Sequence, residues 1–217
     1  GLSAISTASQ VEDSVRREAR AEAKTVAGAV SAEVGLAVAA GRSMVGMIAA
    51  AHETGNRDRR AVIAELRSVA DGNPGIFGAW MAEEPGGYDA AATNGLPGDN
   101  DQGAFTPYWT KDAAGNANFT TFTVDYQAPW YALAAKSRKP SITEPYMPSE
   151  VKVLMSSTAF PIVSSGTLVG VGGVVDEEVG GLVAAHVDDR QDVAGADDAR
   201  PGGTGRDLLV EHYLAGN

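Results

Sequence analysis

The sequence predicts an α+β fold in which a long N-terminal helix precedes an antiparallel sheet. Residues 11–52 contain no proline and are rich in alanine, glutamate, arginine and valine, and such a composition favours a helix. Beyond about residue 75 the chain changes to short β-branched or aromatic runs between Gly, Asn, Pro and Ser turns, which is typical of an antiparallel sheet. The 217 residues, 44% of them apolar, suffice to bury a core.

The N-terminal helix carries a stripe of larger apolar residues in steps of three and four, with two small residues filling the places between. The stripe comprises Val26, Val30, Val34, Ala37, Gly41, Met44 and Ile48. Forty helical residues at ~1.5 Å each would reach about 60 Å, which exceeds the width of a compact domain of this size. Part of the helix is therefore expected to project or to pair with a partner.

A second helix, two hairpins and a short helical interlude are predicted after a polar joint at 52–59. The segment "AVIAELRSVADGNP" places Val62, Ile63, Leu66 and Val69 on one helical face before Gly72 and Pro74 end it. Turn residues predict hairpins at Lys111–Asn118 and at Ser164–Gly166. The segment "PWYALAAKSRK" indicates a helix between strands.

Composition and motifs exclude several function classes. A formal net charge of -11 argues against a nucleic-acid partner, because phosphate binding needs a surplus of Lys and Arg. The chain has no cysteine, and its three histidines, His52, His186 and His212, lack ligand spacing. Nucleophile-elbow, Walker and dinucleotide-binding motifs are also absent. No metal, cofactor or catalytic residue is therefore predicted.

Aromatic residues near strand ends and proline turns are the candidate binding residues. They are Trp80, Tyr108, Trp109, Trp130, Tyr131 and Tyr146. Side chains at such positions can point into a shared cavity, although large rings also serve as ordinary core.

Several motifs resemble a known family in their order along the chain. The order is a long helix, "GAWMAEEP", "FTPYW", "VDYQAPWYALA", "EPY" and "STAFPIVSSGTLVGVGGVVDEEV", over roughly residues 5–180. It resembles the extracytoplasmic Cache sensor module, of the double-Cache type, of bacterial methyl-accepting chemotaxis receptors. The resemblance implies a PAS-like antiparallel sheet that binds a small molecule, with the long helix running back toward the membrane.

The resemblance also implies which ligand class fits. Family members that bind amino acids carry an Arg two positions before the Trp-Tyr pair and a Tyr five positions before that Arg. Ala128 and Thr123 stand at those positions here, so the bidentate partner of a carboxylate is absent. Asp125, Asp176 and the aromatic rings remain as candidate ligand partners. Because carboxylates and aromatic faces favour a cationic group, an amine, a quaternary ammonium or an amino-acid-like ligand is expected. Asp176 falls one residue later than the family's hairpin aspartate, and one residue in a strand reverses the face.

Domain boundaries and location follow from the resemblance. Residues 1–52 are predicted as the long helix, 53–180 as the membrane-distal ligand-binding module, and 181–217 as an acidic tail or the remnant of a second module. The domain is expected on the periplasmic, extracytoplasmic side of an inner-membrane protein. It is expected to pair as a homodimer through the N-terminal helix in the full receptor. Because no run of about 18 apolar residues occurs, membrane attachment is expected through segments outside this chain.

Three alternative hypotheses for the function fit the same sequence. The same module occurs on histidine kinases and cyclic-dinucleotide enzymes, where an organic acid would be the ligand. A hydrolase would need two carboxylates facing one substrate, with Asp125, Glu144 and Asp176 as candidates. A purely structural module would dimerise through the Val26 to Ile48 stripe, with the sheet as a cap.

Overall fold

The computed structural model describes residues 2–89, 95–112, 114–147 and 154–176, and the predicted acidic tail lies outside them. Three helices and six strands occur in these segments. They are α1 (Leu2–Glu53), α2 (Arg59–Gly72), β1 (Gly78–Glu83), β2 (Pro107–Lys111), β3 (Ala117–Thr121), α3 (Pro129–Ser137), β4 (Ser141–Ile142), β5 (Ser156–Ser164) and β6 (Thr167–Asp176). The predicted α+β class is confirmed, as are both hairpins and the short helix between strands.

The six strands form one antiparallel sheet in the order β3-β2-β1-β6-β5-β4. Strands β1 and β6, the first and last strands within the described residues, pair in its centre. The β5–β6 turn places Ser165 at φ 47° and Gly166 at φ 80°, so two left-handed residues close the hairpin. Helices α1 and α2 cover one face of this sheet, and α3 lies on the other.

Helix α1 packs on the sheet through the second half of its apolar stripe. Ala37, Met44 and Ile48 are buried there. Gly41 allows the close approach, because a Cβ at that position would overlap the ring of Phe160 on β5. This half of the stripe is thus core, which contradicts the reading of a purely structural module that dimerises through the stripe while the sheet acts only as a cap.

The N-terminal half of α1 extends away from the sheet. At ~1.5 Å per residue its 52 residues span about 78 Å. Every side chain described between residues 14 and 32 is exposed, so this half projects. By length and composition Ala32–Glu53 could cross a membrane, which the sequence reading did not anticipate. Since its apolar side packs on the sheet, we interpret this segment as a core helix.

A buried ion cluster fixes the segment that connects β1 to β2. Arg59, at the first position of α2, is 5% exposed. Its Nε lies 2.6 Å from Asp89 Oδ2, and its Nη1 contacts the carboxylate of Asp99. The guanidinium also lies 4.7 Å from the ring centroid of Phe105. A buried cation with two carboxylate partners holds the β1–β2 connection at two points, Asp89 and Asp99, against the start of α2.

The end of α1 is tied to the same region by a buried histidine. His52 Nε2 donates a hydrogen bond to the carbonyl of Tyr88 at 2.8 Å, because a carbonyl can only accept. In the neutral ring Nδ1 is then an acceptor, and it lies 2.7 Å from Ser164 Oγ at the end of β5. The C-terminal end of α1 is therefore fixed to both the sheet and the β1–β2 connection.

Two glycines of α1 provide a matched test of this packing. Gly41→Ala should lower the free energy of unfolding by about 1 kcal/mol, because the overlap with Phe160 outweighs the helix propensity of alanine. Gly46→Ala should raise it by ~0.5 to 1 kcal/mol, since an added Cβ there meets nothing within 4 Å. Urea denaturation followed by circular dichroism measures both, and stabilisation by both variants would contradict the packing described.

Candidate functional site

Four aromatic rings pack together on the sheet face opposite α1 and α2. This aromatic cluster consists of Trp80 on β1, Tyr108 on β2, Phe122 just after β3, and Trp130 in α3. The centroid distances are 5.2 Å for Trp80–Trp130, 5.6 Å for Phe122–Trp130, 5.8 Å for Tyr108–Phe122 and 6.1 Å for Trp80–Phe122. All four pairs are close to perpendicular, with interplanar angles between 74° and 88°.

Strand register brings these rings to one face. Trp80 is directly opposite Tyr108, so both side chains leave the sheet on the same side. On its other flank Trp80 is opposite Gly173 of β6. A Cβ at Gly173 would lie 2.5 Å from Trp80 Cζ2, so the indole lies flat over a residue without a side chain. Trp80 is consequently only 4% exposed, although it lies on the sheet face opposite α1 and α2.

Helix α3 brings Trp130 and Tyr131 onto the sheet. Pro129 occupies its first turn, where a missing N–H costs nothing, and Ala128 precedes it in an extended conformation. Tyr131 is 2% exposed, and its hydroxyl donates to Glu84 Oε1 at 2.6 Å. Burial, together with this hydrogen bond, raises the pKa of Tyr131 well above its usual range. The phenol therefore stays neutral and acts as a donor.

Tyr146 lies at the β4–β5 side of the same face. Its hydroxyl is 2.7 Å from Ser157 Oγ, and its backbone forms a bridge with Met155. Burial raises the pKa of Tyr146, which keeps it uncharged. Hydroxyl groups thus border the face on this side, whereas aromatic rings dominate on the β1–β3 side.

Five of the six predicted aromatic residues lie on this face, but Trp109 does not. Its register partner is Ala79, so its side chain points to the helices. The indole Nε1 donates to the carbonyl of Ile63 in α2 at 2.8 Å, and the guanidinium of Arg67 lies 5.0 Å from the ring centroid. The sheet separates Trp109 from the aromatic cluster, and the expectation of a cavity shared by all six rings is wrong for this residue.

The structure does not bring the two predicted acidic residues together. Asp125 is exposed, and its Oδ1 accepts the backbone N–H of Gln127 at 2.9 Å within a turn. Asp176 is 5% exposed at the end of β6, opposite Ser156. Strand alternation puts it on the helix-covered face with Val174. Asp125 and Asp176 therefore do not form a pair of neighbouring acids, either for a cationic ligand or for a hydrolase mechanism.

Two aromatic residues of this face were not predicted. Phe122 contacts three of the other rings, and Tyr126 lies 5.0 Å from Tyr131 and donates from its hydroxyl to the carbonyl of Glu83 at 3.1 Å. Phe122 follows a strand closely, so the strand-end criterion that selected Tyr108 would also have selected it. Tyr126 belongs to the same "VDYQAPWY" stretch as Trp130.

Two cation–π contacts are described, and neither involves Trp80 or Trp130. The cation–π contacts described are those of Arg59 with Phe105 and of Arg67 with Trp109, and both lie on the other side of the sheet. Among the same residues, no three His, Asp or Glu side chains converge where they could hold a metal ion. The side chains described on this face offer aromatic rings and hydroxyl groups.

Comparison with known proteins identifies one family. Residues 63–175 match the family described as methyl-accepting chemotaxis protein-like, first PDC sensor domain, which is a little over half of the chain. These residues contain β1 to β3, α3, β4, β5 and nearly all of β6. The match therefore includes all four rings of the aromatic cluster.

Three relatives illustrate the similarity. A solved structure named methyl-accepting chemotaxis protein X shares 39% sequence identity, with a TM-score of 0.73 over 82% of this chain and 66% of that chain. The extracellular domain of mmHK1S-Z3, which is designated a histidine kinase, shares 29% identity, with a TM-score of 0.60 over 69% of this chain and 54% of that chain. The methyl-accepting chemotaxis protein TlpQ of Pseudomonas aeruginosa is 26% identical over 135 residues, 54% of this chain and 19% of TlpQ. The chain thus spans about a fifth of that curated relative.

The hydroxyl of Tyr131 can be tested against that of Tyr126. Tyr131→Phe should lower the free energy of unfolding by about 1.5 to 3 kcal/mol, because the lost hydrogen bond has a charged acceptor, Glu84. Tyr126→Phe should cost only ~0.5 to 1.5 kcal/mol, since its acceptor is a neutral carbonyl. Chemical denaturation at neutral pH compares them, and equal losses would argue against a charge-assisted bond.

Proposed function

Because the chain belongs to the family of first PDC sensor domains of methyl-accepting chemotaxis protein-like receptors, we propose that it is the extracytoplasmic small-molecule sensor of a transmembrane chemoreceptor. Similarity to chemotaxis protein X over 82% of the chain supports this role. Sensor domains of this family bind and signal, so no catalytic activity is assigned. The similarity to mmHK1S-Z3 makes a sensor histidine kinase the second candidate for the whole protein.

The ligand proposed for the aromatic cluster is a small molecule with a cationic group, an amine or a quaternary ammonium. The observation that carries this proposal is the set of near-perpendicular rings of Trp80, Phe122 and Trp130. An aromatic face attracts a cation by ~0.5 to 2 kcal/mol when the cation is desolvated. Ala128 supports the same choice, since it offers no guanidinium to a carboxylate. Tyr108, Tyr131 and Tyr146 would complete the walls.

The residues predicted as ligand partners do not all keep that role in this proposal. Trp109 is removed from the site because it lies behind the sheet. Asp125 is exposed at the turn before α3 and can approach a ligand only from the rim. Asp176 lies at the end of β6 on the other face, so it is not proposed as a direct contact. The rings, rather than a carboxylate, would then supply the main attraction for the cation.

Titration calorimetry with choline and with simple primary amines tests this ligand class. Trp130→Leu should weaken binding by about 2- to 30-fold, which corresponds to the ~0.5 to 2 kcal/mol of one ring. Trp109→Leu is the matched control, because it removes the same side chain from the opposite face and should leave the dissociation constant unchanged. Equal weakening by both variants, or heat only with organic acids, would contradict the aromatic site.

A homodimer is proposed to form through the outward face of α1. Leu36 is 66% exposed and Met47 is 49% exposed, and their separation of eleven positions corresponds to about three turns, so both lie on one side of the helix. The opposite side, with Val45, is buried on the sheet. Pairing through α1 would therefore use Leu36 and Met47 rather than the stripe predicted from sequence.

Cysteine cross-linking tests the pairing face, because the natural chain contains no cysteine. Leu36→Cys should form a disulfide-linked dimer under mild oxidation, since both copies would present it across the pairing face. Met44→Cys should not, because its side chain is buried in the same subunit. Non-reducing electrophoresis separates the two outcomes, and equal cross-linking by both variants would exclude this face as the interface.

A further inference from the structure

A concave site lies beside α3, and none of the four residues of the aromatic cluster lines it. It is an open cleft of about 540 Å³ between α3, the turn that precedes it, the end of β1 and the start of β6. Its lining residues are Glu84, Pro85, Tyr126, Gln127, Ala132, Ala135, Lys136, Arg138, Thr167 and Leu168. This volume falls within the range of about 300 to 1,000 Å³ that is usual for small-molecule sites.

The charges of the cleft are predominantly positive, in a chain whose net charge is negative. Lys136 and Arg138 both line it. Lys136 Nζ donates to Gln127 Oε1 at 3.1 Å, which holds the amine over the opening. Glu84 is the acidic residue of the lining, and it accepts the hydroxyl proton of Tyr131 at 2.6 Å. Two exposed cations thus line a space whose carboxylate is already hydrogen-bonded.

The backbone of Arg138 provides an independent indication. Arg138 ends α3 in the left-handed conformation, at φ 56° and ψ 27°, and its N–H bonds to the carbonyl of Ala134 at 3.0 Å. Helices commonly place glycine at such a position, because a Cβ is unfavourable there. An arginine costs stability at this cap without improving the hydrogen bond that the backbone makes. Residues held in such conformations cluster at binding sites.

The floor of the cleft is apolar. Ala132 and Leu168 are buried, and Ala135 is partly buried. We propose that this cleft binds a small organic acid with two carboxylates. Arg138 and Lys136 each bind one carboxylate, and the short carbon chain of the acid packs on the apolar floor. The planar fork of Arg138 matches a carboxylate, and Lys136 provides a compact second charge. Two carboxylates would give each of the two cations a charged partner of its own.

Succinate is the probe for this site, and titration calorimetry at constant ionic strength is the measurement. Arg138→Asn removes the charge but tolerates a left-handed backbone, and Lys136→Gln removes the other cation. Each should weaken succinate binding about tenfold or more, because each deletes a charge-assisted contact. Lys139→Gln is the matched control, since Lys139 is exposed next to the cleft but does not line it. It should change the affinity by less than about twofold.

Arg138→Gly separates binding from folding. Its melting temperature without ligand should equal or exceed that of the natural chain, because glycine relieves the left-handed backbone, while succinate binding is lost. Saturable binding that survives both Arg138→Asn and Lys136→Gln would overturn the proposal, as would heat that follows ionic strength alone. Since Trp130→Leu acts on the other side of α3, its effect on choline binding decides the aromatic site separately from this one.

Discussion

The pairing of β1 with β6 is the constraint on which the rest of the molecule depends. Six consecutive residues of β1 pair with β6, so the side chains of both central strands alternate in step. Trp80 and its partner Gly173 face the aromatic cluster, whereas Met81 and its partner Gly172 face α1. A slip of one residue would bury the wrong set on each side, so this register decides at once where the helices pack and where the rings gather.

The same register connects the proposed ligand face to α1. A Cβ at Gly172 would lie 2.9 Å from Val45 of α1, and the next residue, Gly173, lies under the indole of Trp80. A ligand that changes how the rings pack over Gly173 acts on the strand that carries α1 on its reverse side. If binding favours one arrangement of these rings, the linked position of the helix is favoured with it, and the projecting half of α1 would carry that change away from the sheet.

A feature of the fold or of the site could be predicted where the residues that cause it are neighbours in the sequence. The helices and hairpins were predicted because alanine, proline and glycine act on their own neighbours, as at Gly72 and Ser164–Gly166. Trp109 was misplaced because it adjoins Tyr108, and only strand alternation sends adjacent rings to opposite faces. Phe122 was missed although its signal was equally local. The cleft beside α3 could not be predicted, because four separate segments of the chain meet to form it.

Lys136 and Arg138, the cations at the end of α3, also have a simpler structural role. Lys and Arg near a helix C-terminus interact favourably with its dipole by ~0.3 to 1 kcal/mol, and Lys136 in the last turn has this advantage without strain. Arg138 could gain no more than that, while a left-handed backbone costs a residue with a Cβ ~1 to 2 kcal/mol. Since Lys136 and Lys139 already place positive charge on either side, the dipole does not explain why position 138 carries an arginine rather than glycine. A ligand held by the guanidinium does explain it, because the free energy of ligand binding offsets the cost of the left-handed backbone at this position.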